Sequence, residues 1–185
     1  MKKLFQSPAF IIIVSAILFV SSTVLSTRSK LGGKADDVTE IFYSDTSGSR
    51  SIAALLQEID TQAALLAAIG ADYGVDVEDF SYEVDWLDMA LRYNRGDESY
   101  ICAEYNDLMK SYQNVRRLLE RAALNDADRA QAEKAAAVMD DDAALITALA
   151  SEYNAQVRSF NRRYGNPLAR FLAEFAGVDM PEEFK

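Results

Sequence analysis

Apolar residues recur at alternating intervals of four and three along most of this chain, a spacing that puts them on one face of successive helices. The first such segment, about residues 51–73, carries Ile52, Leu56, Ile59, Ala63, Leu66, Gly70 and Tyr73 on one seam, widened by Leu55, Leu65 and Ile69. The second, about 77–93, has Val77, Phe80, Val84, Leu87 and Leu91, with Asp76 where an N-cap belongs. The third, about 98–123, has Ile101, Tyr105, Leu108, Tyr112, Val115, Leu119 and Ala122. The fourth, over Asp126–Tyr164, has Ala132, Ala136, Met139, Ala143, Ile146, Ala150, Tyr153, Val157, Phe160 and Tyr164. A seam with a period near 3.5 predicts helices packed at shallow angles.

Such seams suit either a parallel oligomeric coiled coil or an antiparallel bundle within one chain. The connections at 74–76, 94–97 and 124–125 decide, because loops this short join only antiparallel neighbours. The expected fold is all-α, an up-down-up-down bundle. The run Asp140-Asp141-Asp142 tests the fourth helix. Since Met139 and Ala143 keep the seam in phase across it, one continuous helix with three solvent-facing carboxylates is expected. Gly165 and Asn166-Pro167 should stop it. A helix of this length overshoots the third by roughly 20 Å, and the directions of the helices put the overhang beside a connector helix carrying Val38, Ile41 and Phe42. Pro167 suits the first position of a last short helix, ending at Gly177, with Leu168, Phe171, Leu172 and Phe175 on one face. That face is expected to fold back over Tyr153, Phe160 and Tyr164; lying in a lipid headgroup region is the rival reading.

Upstream, residues 4–27 carry no charge and 9–25 are almost wholly apolar. Phe10, Ile11, Ile12, Ile13, Val14, Ile17, Leu18, Phe19 and Val20 supply the apolar surface of a predicted single-pass transmembrane helix. A cleaved signal peptide is the alternative, with Lys2 and Lys3 as its basic start and Val24-Leu25-Ser26 as the cleavage site, but the apolar run is long for one. Flanking cations are nearly balanced, Lys2 and Lys3 against Arg28, Lys30 and Lys34. A short preceding tail usually stays inside, so the bundle is expected outside the cytoplasm. The expected organisation is a tail over 1–8, the membrane helix over 9–27, a connector over 28–50, the bundle over 51–164 and a final segment over 165–185.

Composition then narrows the function. The formal net charge of −10 disfavours nucleic acid as a partner. Histidine is absent, which removes the commonest general base, the Ser/His/Asp and Cys/His systems and the usual zinc ligands. Cys102 is the single cysteine, with no cationic neighbour in sequence to activate it. The acidic run over 72–79 lacks the order of an EF-hand loop. No enzyme, cofactor or metal is expected. Charge is unevenly spread: residues 36–98 hold fifteen acids and three bases, whereas 153–173 hold Arg158, Arg162, Arg163 and Arg170 with no acid. Together with Arg28, Lys30 and Lys34 these form either a basic collar at a lipid surface or ordinary surface pairs.

Tyr153-Asn154, Val157, Phe160-Asn161, then Gly165-Asn166-Pro167-Leu168-Ala169, Ala176-Gly177-Val178 and Phe184 resemble the C-terminal signature of the LemA family. The resemblance covers the placement of the anchor and about the last 35 residues. It does not cover the middle, where residues 51–74 lack the family's Q-x-x-R-R-x-D-L-I-P-N-L-V element. It implies a membrane-associated helical protein with no assigned reaction. The resulting expectation is a non-enzymatic interaction or scaffold module at the cell envelope, bound to lipid through its first helix and to an unidentified protein through the overhang. Its candidate surface is Asn154, Arg158, Asn161, Arg162, Arg163, Asn166, Leu168, Arg170 and Phe171. An extracytoplasmic sensor holding a small ligand between helices is the alternative.

Overall fold

A computed structural model of the chain describes residues 8–45 and 50–185, and the described residues contain helix but no strand. In order they form α1 (Pro8–Thr27), a π-helical turn (Arg28–Gly32), α2 (Gly33–Tyr43), α3 (Ile52–Asp72), α4 (Glu78–Tyr93), α5 (Glu98–Arg121), α6 (Asp126–Tyr164) and α7 (Pro167–Ala176). They divide into two compact units. One comprises Met1–Asp37 and Ser159–Met180, the other Val38–Arg158 and Pro181–Lys185.

The larger unit is a helical bundle. Arg50, just before α3, pairs with Asp142, while Tyr73, just past its end, donates to Asp128 Oδ2 at 2.7 Å, so α3 and α6 run antiparallel. Likewise, Glu98 at the start of α5 lies toward Tyr153, and the Tyr112 hydroxyl donates to the Ala136 carbonyl at 3.2 Å. The core is continuous from Leu55, Leu56, Ile59 and Leu66 of α3, through Phe80 and Leu87 of α4, to Ile101, Leu108, Tyr112 and Met139. These are the expected seam residues. Helix α3 has the length and mean hydropathy (1.4) of a membrane span, but nine of its residues are buried, and the bundle core accounts for its apolarity.

Local chemistry sets the ends. Ser51 Oγ accepts from Ala54 N, and Asp97 Oδ1 accepts from Tyr100 N at 2.9 Å, so both helices start on side-chain caps. Helix α4 starts one residue later than its pattern suggests: Val77 holds the cap position without a side-chain bond, and Asp76 accepts only a long 3.5 Å contact from Glu78 N. Gly165 ends α6 where a Cβ would strike the Asn161 carbonyl. Between α1 and α2 the chain makes the π-helical turn, which leads directly into α2.

Helix α6 is continuous through Asp140-Asp141-Asp142, but the three carboxylates do not all face solvent. Successive residues turn by about 100°, and Asp142 falls between Met139 and Ile146 on the inner face. It is 2% exposed and accepts from Arg50, while Asp140 accepts from Arg116 Nη1 at 2.5 Å and from the Tyr112 hydroxyl at 3.2 Å. Asp141 alone is outward.

Gly70 marks the tightest approach between α3 and the loop leading to α4, because a Cβ there would meet Val77 Cγ1 at 2.5 Å. In an exposed helix Gly→Ala stabilises by about 1 kcal/mol. Here Gly70→Ala is expected to destabilise by about 1–3 kcal/mol through overpacking. Adding Val77→Ala should recover most of that loss in a double-mutant cycle read by chemical denaturation. An additive cycle would show that the approach is not the constraint.

Candidate functional site

At the bundle end where α3 begins, three remote parts of the chain meet on one aromatic cluster. Phe42 of α2 is fully buried, with its ring 5.5 Å from Tyr153 of α6 and 5.5 Å from Phe184, which also lies 6.1 Å from Tyr105. Asn154 holds the backbone of Phe184 from both sides: its Nδ2 donates to the Phe184 carbonyl at 2.7 Å, and the Phe184 N–H donates to its Oδ1 at 2.8 Å. Arg158 Nη1 adds an ion pair to Glu183 at 2.9 Å. Asn154 and Arg158, two of the residues expected to face a partner, thus close the bundle on its own Pro181–Lys185 segment.

Beneath this cluster lies Glu98, the first residue of α5 and completely buried. The Tyr43 and Tyr153 hydroxyls lie toward its carboxyl, yet Glu98 Oε1 and Oε2 and Tyr153 OH have no partner with hydrogen-bond geometry. Burial pushes the carboxyl above its usual range, pushes Tyr43 up to about 12, and raises Tyr153 as well. Tyr43 accepts from Gly96 N at 3.1 Å, and the Arg95 guanidinium sits 4.4 Å above its ring while pairing with Glu40 at 3.2 Å. A cavity bounded by Ile41, Arg50, Leu149 and Tyr153, beside the aromatic cluster, has a volume of about 50 Å³.

A larger groove of about 330 Å³ runs along α5 and α6, lined by Leu66, Arg116, Leu119, Arg129, Ala132 and Asp140. Its two arginines are balanced by Glu120, Glu133 and Asp140, and Arg116 is already paired with Asp140. Cys102 is buried, its thiol is pushed up by that burial, and Sγ accepts from Asn106 Nδ2 at 3.4 Å, which describes a packing residue. Among the described residues no three His, Cys, Asp or Glu side chains are grouped to hold a metal ion.

The other unit holds the rest of the expected surface. Asn166 caps α7 by accepting from Ala169 N at 2.9 Å, and Arg170 Nε donates to the Gly165 carbonyl at 3.1 Å. Asn161 is half-buried with Oδ1 unpartnered, and Arg162 and Arg163 are exposed. Helix α7 packs on α1 and the π-helical turn through Ala173 and Ala176, leaving Leu168, Phe171 and Phe175 68%, 62% and 58% exposed. The expected fold-back of this apolar face over the α6 aromatics is therefore corrected: Ala173 and Ala176 are buried, Leu172 is half-buried beside Tyr164, and Leu168, Phe171 and Phe175 face outward. On α1, Ile12, Ile17, Leu18, Phe19 and Val20 are exposed; the side chains of Phe10, Ile11, Ile13 and Val14 lie outside the described residues.

Glu98 and the clamp on Phe184 escaped the sequence reading, the first because a glutamate after Gly96-Asp97 resembles an ordinary solvated first-turn acid. Its raised folded-state value fixes a sign. At low pH the carboxyl is neutral in both states; as pH rises through the ordinary glutamate range the unfolded chain ionises first, and stability falls until the folded group also titrates. Asp60, pushed up to about 6 by burial and then by Asp88, acts in the same direction. Glu98→Gln should therefore raise stability at neutral pH, leave it nearly unchanged in acid, and flatten the profile measured by thermal unfolding across pH. Asn154→Ala should cost about 1–3 kcal/mol by leaving the Phe184 backbone unpaired, with the Phe184 amide losing hydrogen-exchange protection. Comparison with protein-family models, with curated proteins and with solved structures finds no match for this chain.

Proposed function

We propose that the chain is a non-enzymatic, single-pass membrane protein of LemA-like type, in which α1 is the anchor and the helical bundle is an interaction or scaffold module held at the cell envelope, outside the cytoplasm. One observation carries this reading: the two units have opposite net charge, and the basic one exposes the larger share of the large apolar side chains among the described residues. The unit containing α1 and α7 has eight basic and four acidic residues, a net of +4, and exposes Ile12, Ile17, Leu18, Phe19, Leu168, Phe171 and Phe175. The bundle unit has eleven basic and twenty-five acidic residues, a net of −14, around a closed core. A basic, apolar unit suits an anionic lipid surface, and a strongly acidic one suits water. The contact surface of the protein is the exposed face of Ser159–Met180, in the unit that contains α1 and α7, where the LemA-like residues concentrate.

The anchor is tested by fractionation. The full chain should remain with membranes after alkaline carbonate extraction, and the pair Ile17→Lys with Leu18→Lys should release it, since each cation at mid-bilayer costs about 2.5–3.5 kcal/mol on insertion scales. An intact mass lacking the first helix would instead establish a cleaved signal peptide. Orientation needs a surface thiol, because Cys102 is buried. With Cys102→Ala and Gln113→Cys, a membrane-impermeant maleimide should label intact cells; labelling only after the cells are opened would place the bundle in the cytoplasm.

A further inference from the structure

The exposed face of α7 is built for a specific partner. At about 100° per residue, eight of the ten positions of this helix sort into three faces, with half-buried Leu172 between the inner and the apolar side. Ala173 and Ala176, with half-buried Ala169, form the inner face against α1 and the π-helical turn. Arg170 and Glu174 form a polar side, and Leu168, Phe171 and Phe175 form an outward apolar side on which the two phenylalanine rings stack 6.3 Å apart. Asn166 caps the helix, Pro167 opens it, and Gly177 closes it in the left-handed conformation with φ 62°. A helix fixed so firmly at both ends holds its apolar side outward as a set feature of this unit.

Two observations identify what covers that side. The first is continuity: the helix on which α7 packs, α1, itself exposes Ile12, Ile17, Leu18, Phe19 and Leu25. The second is charge. Lys30 and Lys34, the latter paired with Asp37 at 3.0 Å, line an open groove of about 760 Å³ with Tyr164, Ala169 and Leu172, while Arg28, Arg162, Arg163 and Arg170 are exposed in the same unit. On the α7 side of α1, residues 28–37 and 159–180 hold six cations and four acids, a net of +2, so an apolar side flanked by cations is complementary to an anionic lipid surface; a partner that buried only apolar area would leave the unpaired cations among them unused.

We propose that α7 is an interfacial helix, its Leu168, Phe171 and Phe175 side lying among the headgroups and upper acyl chains of the bilayer that α1 crosses, with the neighbouring cations on anionic headgroups. Lipid is then the partner of the Ser159–Met180 surface. This inference rests on α1 being a membrane anchor.

The full chain in nanodiscs tests it. In a Trp86→Phe background, Phe171→Trp and, separately, Phe175→Trp place an indole on the apolar side, Glu174→Trp places one on the polar side, and Ile17→Trp reports on the anchor. In discs containing anionic phospholipid, the Phe171→Trp and Phe175→Trp indoles should emit as in an apolar medium. Lipids brominated near the headgroup end of the chain should quench them about twofold or more better than lipids brominated at the chain end, as a depth of about 5–10 Å requires. Glu174→Trp should emit as in water, and Ile17→Trp should be quenched best by the deep bromines. Quenching of Ile17→Trp with a water-like, unquenched Phe171→Trp overturns the interfacial helix and leaves the anchor standing. Loss of quenching at Ile17→Trp overturns the anchor itself. An apolar but unquenched emission at both Phe171→Trp and Phe175→Trp means that protein, a second copy or another chain, covers the face, and this also overturns the proposal.

Discussion

The bundle depends on the cluster of Phe42, Tyr153 and Phe184, because each ring comes from a different stretch of the chain. Helices α3 to α5 are joined by short turns, but nothing local brings α2 or the Pro181–Lys185 segment to the end of the core. Aromatic pairs of this kind contribute about 0.5–1.5 kcal/mol beyond the area they bury. The Asn154 amide adds direction, since it pairs with both backbone groups of Phe184 as a neighbouring strand would. A closed hydrophobic end also explains why the Glu98 carboxyl is pushed above its usual range: every group that closes it removes water from the carboxyl.

Charge sets a second constraint. A net of −14 on the bundle unit produces self-repulsion that its surface ion pairs only partly offset, since exposed pairs contribute about 0–1 kcal/mol each. Arg50 and Arg116 do more because each meets an α6 carboxylate from a different element: Asp142, almost fully buried, and Asp140 beside the Tyr112 hydroxyl. The acids that the period assigned to solvent therefore help fix the register of α6. Asp60 and Glu98 work the other way, as interior carboxyls whose charge the fold resists.

The helices, their order and their antiparallel packing were legible in the sequence because a seam of period 3.5 is repeated four times and the connecting loops are short. Helix stops at Gly165 and Gly177 were legible because backbone geometry demands glycine or its equivalent at such ends. Asp142 was not, because its seam position is shared with Ala143 and hydropathy favours the alanine. The clamp on Phe184 was not, because a contact spanning thirty residues leaves no local pattern. The outward turn of α7 was not, because Leu168, Phe171 and Phe175 look like a core face from sequence, and only the inner positions of Ala173 and Ala176 show which way the helix is rotated.

That rotation is the most telling energetic fact about the smaller unit. Turning α7 by roughly a third of a revolution would bury Leu168 and the two phenylalanines in place of alanines, and each large side chain buried contributes about 1.5–3 kcal/mol. A helix that had only to cover protein in water would be expected to take that rotation. Instead two methyl groups face α1 and two aromatic rings face outward. The arrangement is unfavourable against water and favourable against acyl chains, since hydrocarbon removes the cost of exposing the rings while small inner residues let α7 lie close to α1. The same bilayer that would give α1 its length would thus decide which side of α7 faces outward. On the proposed reading the opposite charges of the two units would have one cause, an acidic unit suited to water and a basic one suited to lipid.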